Sequence, residues 1–210
     1  VFEIAGVSNI ETLKKCGEPV AAGETIMKVT GKTRSILSCE RVSLNLISHL
    51  SGIATVTKNW VERIEGPGAI IRVTRKTNLG LRQLEKFAVR MGGGENHRMN
   101  LADGAIIKDN HIAAAGSITG AIAKVRQEFP NLAVEVEVDS IAQLKEALAS
   151  NPEIILLDNM SISETKEAVL LTRETKTLLE SSGGLTLETV KSYAETGVDY
   201  LAIGAITHSA

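Results

Sequence analysis

Leu132-Ala133-Val134-Glu135-Val136-Glu137-Val138-Asp139 runs directly into Ser140-Ile141-Ala142-Gln143-Leu144, and Glu153-Ile154-Ile155-Leu156-Leu157-Asp158-Asn159 runs into Met160-Ser161-Ile162-Ser163-Glu164. Each stretch is a short aliphatic run, then a polar break, then a helical pattern. The runs are rich in β-branched residues and bounded by turn formers, as strands are. Ser140 with Gln143, and Ser161 with Glu164, have capping-box spacing. Ile141, Leu144 and Leu148 continue an apolar stripe at helical period.

The same rhythm extends both ways. Strands are predicted at 69–73, 104–107, 132–138, 153–157, 177–180 and 199–203. Helices are predicted at 80–91, 117–129, 140–149, 161–173 and 186–196, with Pro130 stopping the second. Six strand–helix units in series imply a parallel sheet covered by helices. An open doubly wound sheet and a (β/α) barrel both satisfy this pattern. The polar residues at the strand ends favour an open or irregular parallel barrel of about six strands. Residues 1–65 differ: Gly17-Glu18-Pro19 and Ala22-Gly23 are turns around a short strand at 25–29. A long helix then covers about 38–65, with a break expected near Ser51-Gly52. Arg41, Asn45 and His49 form its polar stripe, and Leu44, Ile47 and Leu50 its apolar side. This part reads as a partial α+β domain, too small for its own core.

The chain has 210 residues, 43% hydrophobic and 3% aromatic, with a net charge of −2. That balance argues against nucleic acid or a membrane surface as partner. Nor does any run of 18 apolar residues occur. Charge is unevenly placed, however. From Arg72 to Arg98 there are seven Lys/Arg against two acids, Glu85 and Glu95. A local cationic patch on an acidic chain suits a small anionic ligand. Cys16 and Cys39 lack metal-ligand spacing and fit reduced thiols in the cytoplasm.

Parallel α/β folds bind ligands at the C-terminal ends of their strands. Those ends carry Thr74-Arg75-Lys76, Lys108, Glu137, Asp158, Ser182-Gly183-Gly184 and Gly204-Ala205-Ile206. Arg75, Lys76, Arg98 and Lys108, with His97, make a cationic half suited to carboxylate or phosphate. Glu137 and Asp158 make an acidic half suited to magnesium or sugar hydroxyls. The two glycine turns suit a phosphate held by bare backbone N–H groups. Plainer readings accompany several of these. Gly92-Gly93-Gly94 fits a helix C-terminus, Lys86 and Arg90 a solvated helix face, and Glu135 or Glu137 a partner for an interior lysine. His111 fits a helix cap or a core position, and a His97–His111 metal pair is disfavoured. Arg41 alone is a surface helix residue.

Taken together, several segments resemble the quinolinate phosphoribosyltransferases. They are Glu40–Asn45 with Leu50–Thr55, Thr74–Thr77, Gly92–Arg98, Ile107–His111, Glu135–Asp139, Leu157–Met160, Glu180–Gly184, and Gly197–Tyr200 through Gly204–Ser209. The resemblance covers nearly the whole chain, in order. It implies a small sandwich domain, here a remnant at 1–65, packed on a phosphoribosyltransferase barrel at 66–210. It implies transfer of phosphoribosyl from phosphoribosyl pyrophosphate to quinolinate, giving nicotinate mononucleotide, CO₂ and pyrophosphate with Mg²⁺. Arg75, His97, Arg98 and Lys108 would hold the quinolinate carboxylates, and Arg41 would enter the neighbouring subunit's site in a homodimer or higher oligomer. Lys76, Glu137 and Asp158 would engage the donor and its metal, with Lys76, Lys108, Glu137 and Asp158 as the catalytic set. Thr74 and the two glycine turns would complete the substrate contacts. A nicotinate phosphoribosyltransferase and a non-catalytic anion-binding barrel fragment remain as alternatives. The sequence departs from the family pattern at Asn78-Leu79, where Thr-Pro is common, and at Val73, where Asp is frequent; a less rigid loop follows. The resemblance also implies further residues before Val1, where no initiator Met or signal peptide stands, and a short strand after Ala210.

Overall fold

A computed structural model describes residues 1–209. Its N-terminal part is a two-stranded antiparallel ribbon, β1 (Asn9–Thr12) with β2 (Met27–Thr30). Helix α1 follows and spans Thr33–Arg63, 31 residues or about 46 Å. It begins earlier than expected and is not broken at Gly52. One glycine in a long helix costs only about 1 kcal/mol, too little to interrupt it. The buried stripe of α1 also differs from the expected one: it is Cys39, Ser43, Ile53, Thr57 and Trp60, while Leu44 is 51% exposed. Ser43 and Thr57 tolerate burial because their hydroxyls donate to Cys39 O and Ile53 O, one turn back.

The remaining chain alternates as the sequence predicts, with additions. The elements are β3 (Ile70–Val73), α2 (Arg82–Met91), β4 (Glu95–Asn96), β5 (Ala105–Ile107), α3 (Asp109–Ala115), α4 (Ile118–Glu128), β6 (Val134–Val138) and α5 (Ile141–Leu148). Then come β7 (Ile154–Asp158), α6 (Ile162–Thr172), β8 (Leu178–Ser182), α7 (Val190–Ala194), β9 (Tyr200–Ala202) and α8 (Ala205–His208). The parallel sheet has seven strands rather than six, because two-residue β4 pairs beside β3. A strand that short leaves no periodic signal. Helix α7 is shorter than the 186–196 expected; Thr186 and Thr189 instead bond each other's backbone N–H groups in a turn before it. Ser161 and Glu164 form the expected reciprocal box. Ser140 caps α5, but Gln143 reaches Asp139 N instead of Ser140 N.

The strand order β4-β3-β9-β8-β7-β6-β5 explains the shape. Laid on a circle, the strands of the described residues follow the sequence order 3 to 9 with one unpaired junction, between β4 and β5. The sheet is therefore an open parallel barrel. Its strands are aliphatic because helices cover them outside, and Val136, Ile155, Leu157 and Leu201 are fully buried. Among the described residues, no helix is long and apolar enough to cross a membrane.

Gly92 caps α2, as the helix-terminus reading expects. It also meets α1 at close quarters: a Cβ there would stand 2.4 Å from Ala54 O and 2.6 Å from Thr57 Cβ. Gly52 faces open space. Gly92→Ala is therefore expected to destabilise the protein by about 1–3 kcal/mol and Gly52→Ala to stabilise it by up to about 1 kcal/mol, both read from denaturant unfolding.

Candidate active site

Each strand of the barrel points its C-terminal end to one rim. β3 delivers Thr74, Arg75 and Lys76; β4 delivers His97 and Arg98; β5 delivers Lys108. Within β6 the two-residue period turns Glu135 and Glu137 to the same side. β7 ends in Asp158, β8 in Ser182 before Gly183-Gly184, and β9 leads to Gly204-Ala205. All these side chains and turns line a single cleft of about 780 Å³. Of the residues assigned from sequence, two lie elsewhere. Ile206 is fully buried beneath the rim, and Arg41 sits exposed on α1, away from its own chain's cleft.

The cationic flank is held by main-chain contacts. Thr207 Oγ1 donates to Lys76 O (2.7 Å), and Lys76 N donates to Thr74 Oγ1 (3.1 Å). Arg98 Nη1 donates to Gly104 O at 2.8 Å, across the β4–β5 seam. Burial, and then the neighbouring Arg75, hold Arg98 below its ordinary pKa. The buried Nε atoms of Arg75 and Arg98 have no hydrogen-bond partner among the described residues. Two neighbouring guanidiniums at the cleft have the chemistry of an anion receptor. Lys108 Nζ donates to Glu137 Oε2, so the lysine predicted as a partner for one of these glutamates is found at the rim.

His97 lies in the cleft as predicted, with both ring nitrogens engaged by the protein. Its Nε2 bonds Glu135 Oε2 at 2.5 Å, and its Nδ1 accepts from Arg98 N at 2.8 Å. An acceptor Nδ1 carries no proton, so Nε2 is the donor to Glu135. Both ring nitrogens are thereby engaged, and the imidazole braces Arg98 instead of offering a free donor. His111 Nδ1 accepts from Lys108 N and so caps α3.

Below the rim lies a polar floor that sequence reasoning missed. Arg72 Nη1 donates to Glu180 Oε2 at 3.0 Å, and its guanidinium lies 3.3 Å from the centre of the Tyr200 ring. Burial, and next the nearby Glu135, push the Glu180 carboxyl upward. His97, Glu135 and Glu180 place three possible metal-ligand atoms within 4.8 Å of one another. Arg72 engages Glu180 Oε2 and the His97 ring engages Glu135 Oε2, while Glu135 Oε1 is buried without a hydrogen-bond partner among the described residues. The signal was present, since Glu180 and Ser182 alternate inward as Glu135 and Glu137 do, but the predicted strand stopped at 180.

The opposite flank is built of tight turns. Gly183 and Gly184 have φ of 90° and 60°, and Asn159 has φ of 54°. Asn159 N donates to Ser182 O (2.9 Å), and its Nδ2 donates to Asp158 Oδ2 (2.9 Å). A Cβ on Gly183 would stand 2.2 Å from Asn159 Oδ1, so only glycine fits. Gly204 lies against His208 and the Lys76 stem. This flank therefore offers bare backbone beside a lysine, the chemistry of a phosphate cradle.

The sequence matches two families along its length. Residues 1–51 match the quinolinate phosphoribosyl transferase N-terminal domain and residues 53–210 its C-terminal domain. The chain is 51% identical over 211 residues to the nicotinate-nucleotide pyrophosphorylase [carboxylating] of Mycobacterium leprae, covering 99% of this chain and 74% of that protein. It is 45% identical over 205 residues to the probable enzyme of the same name from Bacillus subtilis, covering 96% and 70%. The crystal structure of nicotinate-nucleotide pyrophosphorylase from Ehrlichia chaffeensis superposes with a TM-score of 0.93 at 45% identity, covering 99% of this chain and 75% of that one. NadC from Streptococcus pyogenes gives 0.93 at 41% identity, covering 99% and 74%. The chain therefore belongs to the quinolinate phosphoribosyltransferase family.

Proposed function

We propose that the protein transfers a phosphoribosyl group from phosphoribosyl pyrophosphate to quinolinate with decarboxylation, forming nicotinate mononucleotide, CO₂ and pyrophosphate. The observation that carries this reading is the make-up of one cleft: Arg75, Arg98 and Lys108 line one flank and Glu137, Asp158 and the glycine turns the other, with Lys108 and Glu137 paired where the two meet. A dianionic pyridine acid matches the first flank and a phosphorylated sugar the second. The number of cations favours a diacid over nicotinate.

On this reading Arg75 and Arg98 grip the two carboxylates, with Lys108 beside them and His97 bracing Arg98. The bound ring nitrogen is held in line with the ribose carbon that loses pyrophosphate, and this positioning replaces random encounter. As the C–O bond to pyrophosphate breaks, positive charge builds on the ribose ring. Glu137 and Asp158 stabilise that charge, and Lys76 stabilises the departing oxygens. The nitrogen lone pair forms the new bond, and the now cationic ring accepts the electron pair released as the adjacent carboxylate leaves as CO₂. A proton then replaces CO₂ on the ring carbon. No covalent enzyme intermediate enters this sequence. The Ser182–Gly184 and Gly204–Ala205 turns hold the 5′-phosphate, with Thr74 at the edge of the cleft.

Glu137 and Asp158 are also the residues that would hold magnesium. Glu137 is already shared with Lys108, so the pair suits an ion carried mainly by the donor's phosphates rather than a full protein cage. Bound there, the ion would neutralise charge on the leaving pyrophosphate. We further propose a homodimer, or a higher oligomer, in which Arg41 of one subunit reaches the partner's cleft. The exposed Leu37, Val42 and Leu44 around Arg41 on α1 support an interface there. We place the domain boundary at 65/66, after α1, and the protein in the cytoplasm, where free Cys16 and Cys39 suit a reducing medium.

The decisive assay is magnesium-dependent CO₂ release from carboxyl-labelled quinolinate with the phosphoribosyl donor. Turnover of nicotinate alone would overturn the reading. Arg98→Ala and Lys108→Ala are each expected to weaken quinolinate binding by about 1–3 kcal/mol, measured by titration calorimetry. Mixing inactive Arg41→Ala and Asp158→Ala proteins should restore activity through dimers with one intact site. No recovery after subunit exchange would remove Arg41 from its proposed role.

A further inference from the structure

Helix α2 carries Arg82, Glu85 and Lys86 one turn apart, and Glu85 and Lys86 are both fully buried. Their burial contradicts the solvated-face reading of Lys86 from sequence. Adjacent in the chain, they are not partners. Glu85 is engaged by His49 Nε2 (2.9 Å), Asn78 Nδ2 (2.7 Å) and Asn78 N (3.1 Å). These contacts also anchor the loop after Lys76, which the sequence departures suggested would be loose. Lys86 pairs with no carboxylate among the described residues. Its Nζ donates to His97 O at 2.6 Å and Arg98 O at 2.7 Å. Arg82 binds Thr77 Oγ1 through Nε (3.1 Å), Met99 O through Nη1 (3.3 Å) and Arg75 O through Nη2 (3.5 Å).

Burying an ammonium is unfavourable, and an aliphatic residue would fill a helix–sheet contact without that cost. Burial, reinforced by Arg82 and Arg75, drives Lys86 down to about 8. What the lysine achieves in return is specific. Two-residue β4 has one sheet partner, β3, and an open seam on its other side. The segment that follows it, carrying His97 and Arg98, has little ladder to hold it. Lys86 clamps both carbonyls of that segment from behind, while Arg82 ties the Arg75 carbonyl to the same region. Neither Lys86 nor Arg82 lines the cleft.

We propose that Lys86, seconded by Arg82, is a positioning residue for the acceptor: it fixes the His97–Arg98 segment, and so the Arg98 guanidinium, without touching substrate. This inference rests on the reading of the cleft as a quinolinate site. A displacement of about 1 Å in a positioning group is enough to cost a hundredfold in rate, so the effect should concentrate on the acceptor.

The test is steady-state kinetics of Lys86→Met and Arg82→Gln with both substrates varied. Lys86→Met is expected to raise the quinolinate KM at least tenfold while the KM for phosphoribosyl pyrophosphate moves less than threefold. Arg82→Gln is expected to act in the same direction, less strongly. Variants that unfold cooperatively like wild type, yet shift both constants alike or neither, would overturn the proposal. If Lys86→Met does not fold, Arg82→Gln decides by the same criterion. Wild-type protein that releases no CO₂ from quinolinate overturns the functional reading and this inference with it. Active wild type without the split overturns the inference alone.

Discussion

The unpaired seam between β4 and β5 governs the organisation of this protein. A fully closed barrel holds every rim residue by backbone ladders on both sides. Here the circle stops at a two-residue strand, and polar side chains complete it. Arg98 reaches Gly104 O on the far side, and His97 spans from β4 to Glu135 on β6. The cations we propose for the acceptor sit beside this opening, where the main chain alone gives least support. Side chains therefore supply rigidity that the sheet elsewhere supplies for itself.

That arrangement accounts for the buried charges in the barrel and behind it. Arg72–Glu180 and His97–Glu135 form two adjacent interior pairs, and Lys86 and Glu85 form anchors outside the strands. Such groups are weak contributors to net stability, because desolvation consumes much of what pairing returns. They are strong contributors to geometry, because each one terminates on a defined atom. The glycine flank has the opposite construction. Asn159 against Gly183 leaves no room for a side chain, so the backbone itself forms the surface.

The two flanks divide the chemistry. Neighbouring guanidiniums suit a small polyanion of fixed shape. The carboxylates and bare amides on the other side suit a phosphorylated sugar that becomes cationic as its bond breaks. Both faces are needed in one enclosed space, since attack requires the acceptor nitrogen and the ribose carbon to meet without solvent between them.

Much of this was legible in the sequence. Aliphatic runs at strand length, each followed by a capped helical stripe, specify parallel strands, and parallel strands carry their polar ends to one rim. Arg75, Lys76, Lys108, Glu137, Asp158 and the glycine turns follow from that rule, whereas Arg98 is singled out by the local cationic patch and the family motif. What the sequence left open depends on burial and on pairing between distant segments. Lys86 and Arg90 have the spacing of an exposed face, and no local pattern says that the first turns toward two carbonyls eleven and twelve residues away. The roles of the His97 ring nitrogens are set by Glu135, 38 residues further on. β4 is too short to have a period, and the continuity of α1 through Gly52 reflects packing along its whole length. Local chemistry fixes the element types and the residues at their ends; only the folded barrel decides which of them grip a ligand and which hold the others in place, because that choice is made by neighbours far apart in the chain.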